Sequence, residues 1–281
     1  MRSGLTKFTA WLQSDGRHFQ IISQVTFLCY GILMLGWDAD WKKYLAAFSG
    51  SMIAQLLAIR FAGVPANSMK SALVTSLGLS LLLKANSPWL FLFAAIFAIG
   101  QKFLIRINGK HIWNPANFGI VLMILLSGEA WISPGQWGSS AVLVFIIGTG
   151  GLAVLSHVKR LETGIAFILT IALLEYLRTI VFLGWEWDVL LLKLSSGSLW
   201  LFALFMITDP MTIPNGRITR IIWSVCVAGI SFYLTNFKFI NAAPFWVLFF
   251  ATPFTPLFDM LQKQPVFQWV NKKQTSPQVQ S

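Results

Sequence analysis

The chain has 281 residues, of which 56% are hydrophobic and only 11% are charged, whereas soluble domains carry about 25% charged residues. This composition excludes an ordinary soluble enzyme and predicts an integral membrane protein. The net charge of +11 is high enough to suggest nucleic-acid binding, but the basic residues concentrate in alternate loops and at the termini. Such a distribution follows the positive-inside rule, so we expect a multi-pass protein of the bacterial inner membrane with both termini cytoplasmic and no nucleic-acid partner.

Hydropathy predicts about ten transmembrane helices, each close to the roughly 20 residues that a helix needs to cross the hydrocarbon core. They are expected at residues 19–37, 43–60, 70–84, 88–106, 114–128, 139–156, 163–184, 190–208, 218–236 and 243–262. Because the connecting loops are short, we expect a single all-α polytopic membrane domain over residues 19–262. A cytoplasmic leader at 1–18 would precede this domain, and a polar cytoplasmic tail at 263–281 would follow it.

The third predicted span is rich in small polar residues, among them Thr75 and Ser76. Small residues allow helices to approach closely in lipid, which is one interpretation of this pattern. The other is that the hydroxyl groups of Thr75 and Ser76 line a central cavity.

The helical pattern is first interrupted before the fifth span, where Asn114, Pro115 and Asn117 are followed by Gly119. Proline and asparagine at this point leave backbone groups free of intrahelical hydrogen bonds. Within a bilayer such groups must be buried in protein or must line a cavity. The interruption therefore predicts a binding site, with Asn114, Pro115 and Asn117 as site residues and Gly119 as part of the helix break.

The seventh span contains Glu175 and Arg178, which are three residues apart and so lie on one face of a helix. An ionisable residue at membrane depth is a functional candidate. The alternative is a structural role, in which the two side chains form an intramembrane ion pair with each other.

A second interruption follows the eighth span, where an apolar run ends at Thr208, Asp209, Pro210 and Thr212, with Gly216 four residues later. Thr208, Asp209 and Thr212 are the predicted site residues here, and Pro210 and Gly216 would form the break. Two such interruptions in one membrane protein indicate a site between them.

Asp209 also has a structural interpretation. Its carboxylate could cap the next helix, or it could pair with Arg217 or Arg220, which follow shortly in the sequence. The sequence alone leaves this alternative open.

The two halves of the chain share a short similarity that suggests an internal repeat. Residues 114–118 read Asn-Pro-Ala-Asn-Phe, and residues 241–245 read Asn-Ala-Ala-Pro-Phe, with Pro244 expected to break the tenth span. Each segment opens the last helix of a five-helix half, and five is odd, so the two halves would have opposite orientations. We therefore predict a 5+5 inverted repeat, with halves at 19–128 and 139–262 and a shared site near the midplane.

Metal-ligand spacing is absent from the sequence. The two cysteines are isolated within spans, and the three histidines are dispersed, so we expect no metal site.

Four segments, in this order, resemble one protein family. Residues 72–79 read Ala-Leu-Val-Thr-Ser-Leu-Gly-Leu, 97–102 read Phe-Ala-Ile-Gly-Gln-Lys, 114–119 read Asn-Pro-Ala-Asn-Phe-Gly, and 205–212 read Phe-Met-Ile-Thr-Asp-Pro-Met-Thr, followed by Asn-Gly-Arg at 215–217. They resemble the RnfD/NqrB family, which comprises the membrane D subunit of Rnf electron-transport complexes and the B subunit of the sodium-pumping NADH:quinone reductase. The resemblance extends over roughly residues 40–262.

This resemblance implies a ten-helix inverted repeat related to urea transporters, and FMN linked by a phosphoester to a threonine in a Ser/Gly-Ala-Thr motif before the sixth span. In this chain the corresponding residues 126–140 contain no threonine. We therefore expect no covalent FMN, which leaves noncovalent flavin in the central cavity as the alternative. Expected partners are the lipid bilayer and other membrane subunits of a redox complex.

Three functions fit these patterns. The first is an RnfD/NqrB-like subunit of an electron-transport or ion-translocating complex, which would be at most one subunit of a membrane oxidoreductase. The second is a stand-alone channel or transporter for a small polar solute or ion, and the third is a non-catalytic membrane scaffold.

Overall fold

The computed structural model describes residues 11–12 and 14–267, so residues 1–10 of the expected leader and 268–281 of the expected tail lie outside it. The described part of the chain is predominantly helical. Its helices are α1 (Gly16–Leu33), α2 (Trp41–Ala62), α3 (Met69–Leu82), α4 (Pro88–Leu104), α5 (Pro115–Ser127), α6 (Ala141–Val158), α7 (Leu161–Tyr176), α8 (Trp187–Leu194), α9 (Gly197–Leu201), α10 (Arg217–Phe237), α11 (Ala243–Ala251) and α12 (Thr255–Leu261). Helix α7 continues as a π-helix over Leu177–Phe182, and α9 continues as a π-helix over Phe202–Met206.

Short 3₁₀ helices and strands connect these helices. The 3₁₀ helices are Ala66–Ser68, Pro134–Trp137 and Thr252–Phe254. The strands are β1 (Leu83–Ala85), β2 (Arg106–Ile107), β3 (Lys110–His111) and β4 (Ala130–Ile132). They form two antiparallel pairs, β1 with β4 and β2 with β3.

Several helices begin where the local sequence supplies a capping group. Asp15 caps α1 by accepting a hydrogen bond from the backbone N–H of Arg17, and its carboxylate also pairs with the Arg17 side chain. Asp40 caps α2 in the same way, and Ser87 caps α4 immediately before a proline. Such side chains satisfy backbone donors that have no partner within the helix, so the polar turns determine where these helices start.

Five of the described helical segments are long and apolar enough to cross a membrane, and a sixth results if the bent pair α8 and α9 counts as one span. The predicted number of about ten spans is therefore not confirmed by length and composition. Helix α5 has 13 residues, which corresponds to about 20 Å, whereas the hydrocarbon core is about 30 Å thick. The polar interruptions shorten the helices and so reduce this count.

Two of the spans predicted after residue 185 are interrupted, one of them, 190–208, at a bend that was not predicted. Helices α8 and α9 form a bent pair with an angle of 44° between them. The last predicted span is divided into α11, the 3₁₀ helix Thr252–Phe254 and α12. The division falls at residues 252–254, whereas Pro244, which was expected to break this span, lies in the first turn of α11. Proline is well tolerated at that position because the N–H it lacks would have no partner there.

Glycines allow the helices to pack closely. A Cβ atom on Gly119 would lie 2.4 Å from the backbone oxygen of Ala94, and one on Gly164 would lie 2.7 Å from the backbone oxygen of Ala203. The prediction that Gly119 breaks the helix is wrong, because Gly119 lies inside the continuous helix α5. Its function is to bring α5 against α4, as small residues commonly do between membrane helices.

Helices α5 and α11 run antiparallel where they meet. The indole N–H of Trp113 donates to the carbonyl of Phe249 at 2.9 Å, and the Asn117 side chain donates to the carbonyl of Phe245 at 3.1 Å. The residue number rises along one helix as it falls along the other, so the two chain directions are opposed. These are the two helices that open with the similar Asn-containing segments, which agrees with the predicted inverted repeat; the repeat itself stays a prediction.

Candidate functional site

The first interruption is held by Asn114, which caps helix α5. Its side-chain oxygen accepts a hydrogen bond from the backbone N–H of Asn117 at 3.1 Å. Its amide nitrogen donates to a carboxylate oxygen of Asp209 at 3.3 Å. Since Asp209 belongs to the second interruption, one asparagine side chain connects the two breaks, which are 95 residues apart in sequence.

The second interruption is a compact turn between the π-helical end of α9 and helix α10. Asp209 accepts a hydrogen bond from the backbone N–H of Met211 at 3.1 Å. The Thr208 hydroxyl donates back to the carbonyl of Leu204, and the Thr212 hydroxyl donates to the carbonyl of Asp209. These local hydrogen bonds satisfy the turn, so one oxygen of Asp209 remains directed at the first interruption.

A histidine also approaches this carboxylate. His111 Nε2 lies 3.7 Å from Asp209 Oδ2, which is longer than a hydrogen bond, and this nitrogen is buried without a hydrogen-bond partner among the described residues. His111 is positioned by the β2–β3 hairpin, in which it pairs with Arg106. The turn residues Asn108 and Gly109 both have positive φ, the conformation that Asn-Gly favours in a tight hairpin.

A cavity of about 90 Å³ opens at this junction. Polar side chains from several helices contribute to its wall together with apolar ones; the polar ones are Arg17, Gln20, Gln24, Ser71, Thr75, His111, Asn114, Thr208 and Asp209. Gln24 is only 6% exposed, and its side-chain oxygen has no hydrogen-bond partner within the described part of the chain. Buried polar atoms in proteins are almost always paired, so Gln24 and His111 are suited to bind a polar solute or water.

A buried cation lies behind the wall of this cavity. The Lys102 ammonium donates to the Ser71 hydroxyl at 2.7 Å, and Lys102 is buried although it lies near the end of helix α4. The cavity therefore combines an anionic group, Asp209, with a basic residue one side chain further away.

A second lysine fixes the hairpin to the break. Lys110 is 5% exposed, and its ammonium donates to the carbonyl of Ile213 at 2.6 Å and to the carboxylate of Asp259 at 3.1 Å. The other oxygen of Asp259 accepts from the backbone N–H of Asn215 at 2.6 Å. Burial lowers the pKa of the Lys110 ammonium, and Asp259 opposes that shift. The cluster joins the hairpin, the second interruption and helix α12.

The structure brings some of the predicted site residues together and leaves others outside the cavity. Its wall includes Thr75, Asn114, Pro115, Thr208, Asp209 and Pro210. Three predicted residues are buried nearby but do not line it, namely Ser76, Asn117 and Thr212. Thr212 contacts α12 instead, because its carbonyl accepts from the Thr255 hydroxyl at 2.9 Å. Gly216 caps α10 and packs against Gln262.

The structural alternative for Asp209 is only partly realised. Arg220 pairs with Glu162 rather than with Asp209. Asp209 does accept a hydrogen bond from its own turn at Met211, but its other oxygen faces Asn114.

The predicted ion pair between Glu175 and Arg178 is wrong. Glu175 pairs with Lys193 at 2.7 Å. Arg178 donates to the carbonyl of Asn236 at 3.2 Å, and its guanidinium lies 4.5 Å from the centre of the Phe237 ring. Lys193 lies 18 residues away on helix α8, which follows the turn after the π-helical end of α7, and its ammonium contacts Glu175 there.

Sequence reasoning missed several polar groups at these sites. The sequence patterns did not assign His111, Lys102, Lys193 or Asn236 to a site. Lys193 lies within the predicted span 190–208, so the rule that singled out Glu175, an ionisable residue at membrane depth, applied to it equally. For His111 no comparable signal exists, because only the hairpin brings it to Asp209.

Apolar helices, two polar interruptions that meet, and a cavity at their junction define a polytopic membrane protein with an internal polar site. A sequence profile of the NQR2, RnfD, RnfE family matches residues 125–268, slightly more than half of the chain. The chain therefore belongs to this family, whose members are membrane subunits of Rnf- and Nqr-type complexes. No curated protein matches the chain.

The matched region includes residues 205–212 and the turn that follows, so the resemblance based on them is confirmed. The motifs at 72–79, 97–102 and 114–119 precede the matched region.

The residues present do not fit the covalent FMN that the resemblance implies. The segment before α6 offers the hydroxyls of Ser133, Ser139 and Ser140, but no threonine on which the phosphoester could form. The central cavity, at about 90 Å³, is also smaller than the roughly 300 to 1,000 Å³ of pockets that enclose drug-sized ligands. Noncovalent flavin in this cavity stays a prediction.

Proposed function

We propose that this chain acts as a membrane subunit of an Rnf/Nqr-type electron-transport or ion-translocating complex and carries no covalent FMN. Family membership supports the general role. The missing threonine in residues 126–140 supports the second part. In this proposal the protein resides in the bacterial inner membrane with both termini cytoplasmic, as the distribution of basic residues indicates.

One observation carries the assignment of the site. The hydrogen bond between Asn114 and Asp209 joins the two interruptions directly beside the cavity. Interrupted helices that meet near the midplane are where membrane transporters bind ions and polar solutes. We therefore assign Asn114, Thr208 and Asp209 to the site, with Pro115 and Pro210 shaping the two breaks.

The flavin part of this proposal is tested by the absorption spectrum of the purified protein. We expect no flavin band in the visible region, either before denaturation or in the acid-precipitated protein that retains covalently bound groups. A band that persists after precipitation would overturn the absence of covalent FMN. A band lost on precipitation would show noncovalent flavin.

A second candidate function is a stand-alone channel or transporter for a small polar solute or ion. The observation that favours it is the size and polarity of the cavity. Since one water needs about 10 to 15 Å³ of such volume, about 90 Å³ suits a solute of only a few heavy atoms. This candidate requires no redox partner.

Flux through proteoliposomes distinguishes the two candidates and the scaffold. The chain is reconstituted alone, and entry of sodium ion and of urea is measured as the two probes. Flux that falls in Asp209→Asn, but not in the control Asp38→Asn, would favour the stand-alone transporter, because Asp38 is an exposed carboxylate remote from the cavity wall. Flux that appears only with partner subunits would favour the complex. No flux in either case would favour the non-catalytic membrane scaffold.

A further inference from the structure

A second and larger cavity, of about 470 Å³, lies on another side of helix α9. It is enclosed by α7 to α11 and by the turn between α10 and α11. Its wall includes Glu175, Lys193, Ser231 and Asn236 together with the aromatic rings of Phe202 and Phe245. This volume is in the range of ligand pockets.

One end of the cavity carries a paired positive and negative charge. Lys193 donates to one oxygen of Glu175 at 2.7 Å, and the Asn236 amide donates to the other at 2.6 Å. The remaining contacts of the Lys193 ammonium, to Thr179 at 3.4 Å and to Asn236 at 3.5 Å, are long. Lys193 therefore retains capacity to donate to a further acceptor, and each Glu175 oxygen can accept a second hydrogen bond.

A hydroxyl in the same wall lacks a partner. Ser231 is fully buried, and its oxygen forms no hydrogen bond within residues 11–12 and 14–267. A buried hydroxyl without a partner is destabilising, and such groups are rare in native proteins. The unpartnered hydroxyl of Ser231 thus indicates that this cavity accommodates a ligand with a polar group.

The rest of the wall is apolar and aromatic. The rings of Phe202 and Phe245 lie 5.3 Å apart at the floor. Phe239, Ile240 and Asn241 form an exposed rim through which the cavity opens. A ligand here would place a polar head at the charge pair and an apolar part against these rings.

Backbone irregularities converge on this cavity. Ala242 has a φ of 53°, a left-handed conformation that is uncommon outside glycine and asparagine. The π-helical turn Leu177–Phe182 begins two residues after Glu175, and π-bulges occur frequently at functional sites. The Ser196 and Ser198 hydroxyls, 2.9 Å apart, mark the bend between α8 and α9.

The charge pair restricts the ligand. A purely anionic ligand that drew Lys193 away would leave the buried Glu175 without its cation. A purely cationic ligand would compete for the same carboxylate with Lys193, whose side chain is 32% exposed. Unpaired buried charges are strongly unfavourable. A ligand that carries both signs can engage both side chains and leave the site neutral.

We propose that this cavity binds a zwitterion with a primary ammonium group and an oxyanion, its ammonium on Glu175, its oxyanion on Lys193 and Ser231, and its apolar part along the aromatic wall. Two sources supply this chemistry: the headgroup of phosphatidylethanolamine in the surrounding bilayer, and a free amino acid with an apolar side chain. The inference uses neither Asp209 nor the central cavity, so it stands or falls independently of the proposed function.

The test compares ligands that differ in one group. Purified full-length protein is placed in phosphatidylcholine nanodiscs without or with phosphatidylethanolamine or phosphatidylglycerol, and separately with leucine. Lipid retained by the protein is identified by native mass spectrometry, and the midpoint of thermal unfolding is recorded. We expect retention of phosphatidylethanolamine over phosphatidylcholine, whose quaternary ammonium has no N–H to donate, or a raised midpoint with leucine.

Ser231→Ala is the decisive variant because it removes only the unpartnered hydroxyl. We expect about five- to tenfold weaker binding of the preferred zwitterion, the loss of one hydrogen bond, without destabilisation of the ligand-free protein. Ser224→Ala is the matched control, a fully buried serine of the same helix that donates to the carbonyl of Thr163 at 2.7 Å. It should lower stability and leave binding unchanged.

A second variant, Glu175→Gln with Lys193→Gln, keeps the site neutral and removes both charges. We expect it to abolish the preference for phosphatidylethanolamine over phosphatidylcholine. Preferential retention of phosphatidylethanolamine would identify the lipid as the source, and a response to leucine alone would identify a free amino acid. Equal retention of all three lipids without a leucine response would overturn the proposal, as would unchanged binding in Ser231→Ala.

Discussion

The connection between the two helix interruptions can be measured by replacing Asn114, because its side chain makes two separable contacts. The oxygen caps helix α5 through the N–H of Asn117, and the nitrogen donates to Asp209. Serine keeps an oxygen that can cap the helix but has no amide group to reach the carboxylate. Alanine removes both contacts.

The expected magnitudes differ enough to be resolved. Loss of an N-cap costs about 1 kcal/mol. A hydrogen bond to a charged group contributes about 1.5 to 3 kcal/mol, and interhelical hydrogen bonds in membrane proteins reach only about 1.7 kcal/mol. At 3.3 Å the contact with Asp209 is long, so we expect about 1.5 kcal/mol for Asn114→Ser and about 2.5 kcal/mol for Asn114→Ala.

Unfolding free energies are measured by titrating the protein in mixed micelles with a denaturing detergent and following circular dichroism. If Asn114→Ser is as stable as the wild type, the contact with Asp209 contributes nothing and the two interruptions are not coupled through it. If serine and alanine are equally destabilising, the cap contributes nothing. Either result would refute the reasoning.

The same titration tests three further predictions. Gly119→Ala should destabilise the protein by about 2 kcal/mol through overpacking, since the new Cβ atom would lie 2.4 Å from a backbone oxygen. The control Gly148→Ala, whose Cβ would have no atom within 4 Å, should be neutral or stabilising. Similar losses of stability in both variants would contradict the close packing of α5 against α4 at Gly119. Burial raises the pKa of Asp15, but hydrogen bonds from the adjacent guanidinium outweigh it and lower the pKa from 3.8 to about 2. The free energy of unfolding of Asp15→Asn should therefore be about 2 kcal/mol lower than that of the wild type at neutral pH. This difference should be complete above pH 3.8 and should disappear as the pH falls through about 2. A difference that persists at lower pH would show that it does not arise from the titration of Asp15. Lys110→Met should lower the free energy of unfolding by about 3 kcal/mol because it leaves the Asp259 carboxylate without its cation. The control Lys43→Met, at the more exposed pair with Asp40, should lower it by under about 1 kcal/mol. Equal effects would show that the buried cluster around Lys110 does not stabilise the fold.

Site residues were predictable where the signal lies in the neighbouring sequence and were not predictable where it depends on contacts between distant segments. Asn114 and Asp209 were recognisable because proline and polar residues at the end of an apolar run leave backbone groups that lipid cannot satisfy. That physical rule requires only the sequence next to each break. It therefore located both interruptions, although it could not show that a single hydrogen bond joins them.

Contacts between helices followed no such local signal. Glu175 was assigned to Arg178 because three-residue spacing places two side chains on one helix face, but spacing describes only which partners one helix offers. Lys193, from the neighbouring helix α8, pairs with Glu175 instead. Gly119 was misread for the same reason, since a glycine that permits close packing and one that breaks a helix look alike until the neighbouring helix is in place.

The sequence alone determined that this is a membrane protein of the NQR2, RnfD, RnfE family, with two polar interruptions and no threonine in residues 126–140. Composition, motifs and helix-breaking residues are properties of contiguous chain, so they are recognisable without the fold. Only the tertiary structure decided that His111, Gln24 and Asp209 surround one cavity, and that Glu175, Lys193 and Ser231 line another. Residues from distant spans meet through helix packing, and in a bilayer that packing depends on close backbone approach and satisfied polar groups rather than on hydrophobicity, which nearly every span here shares.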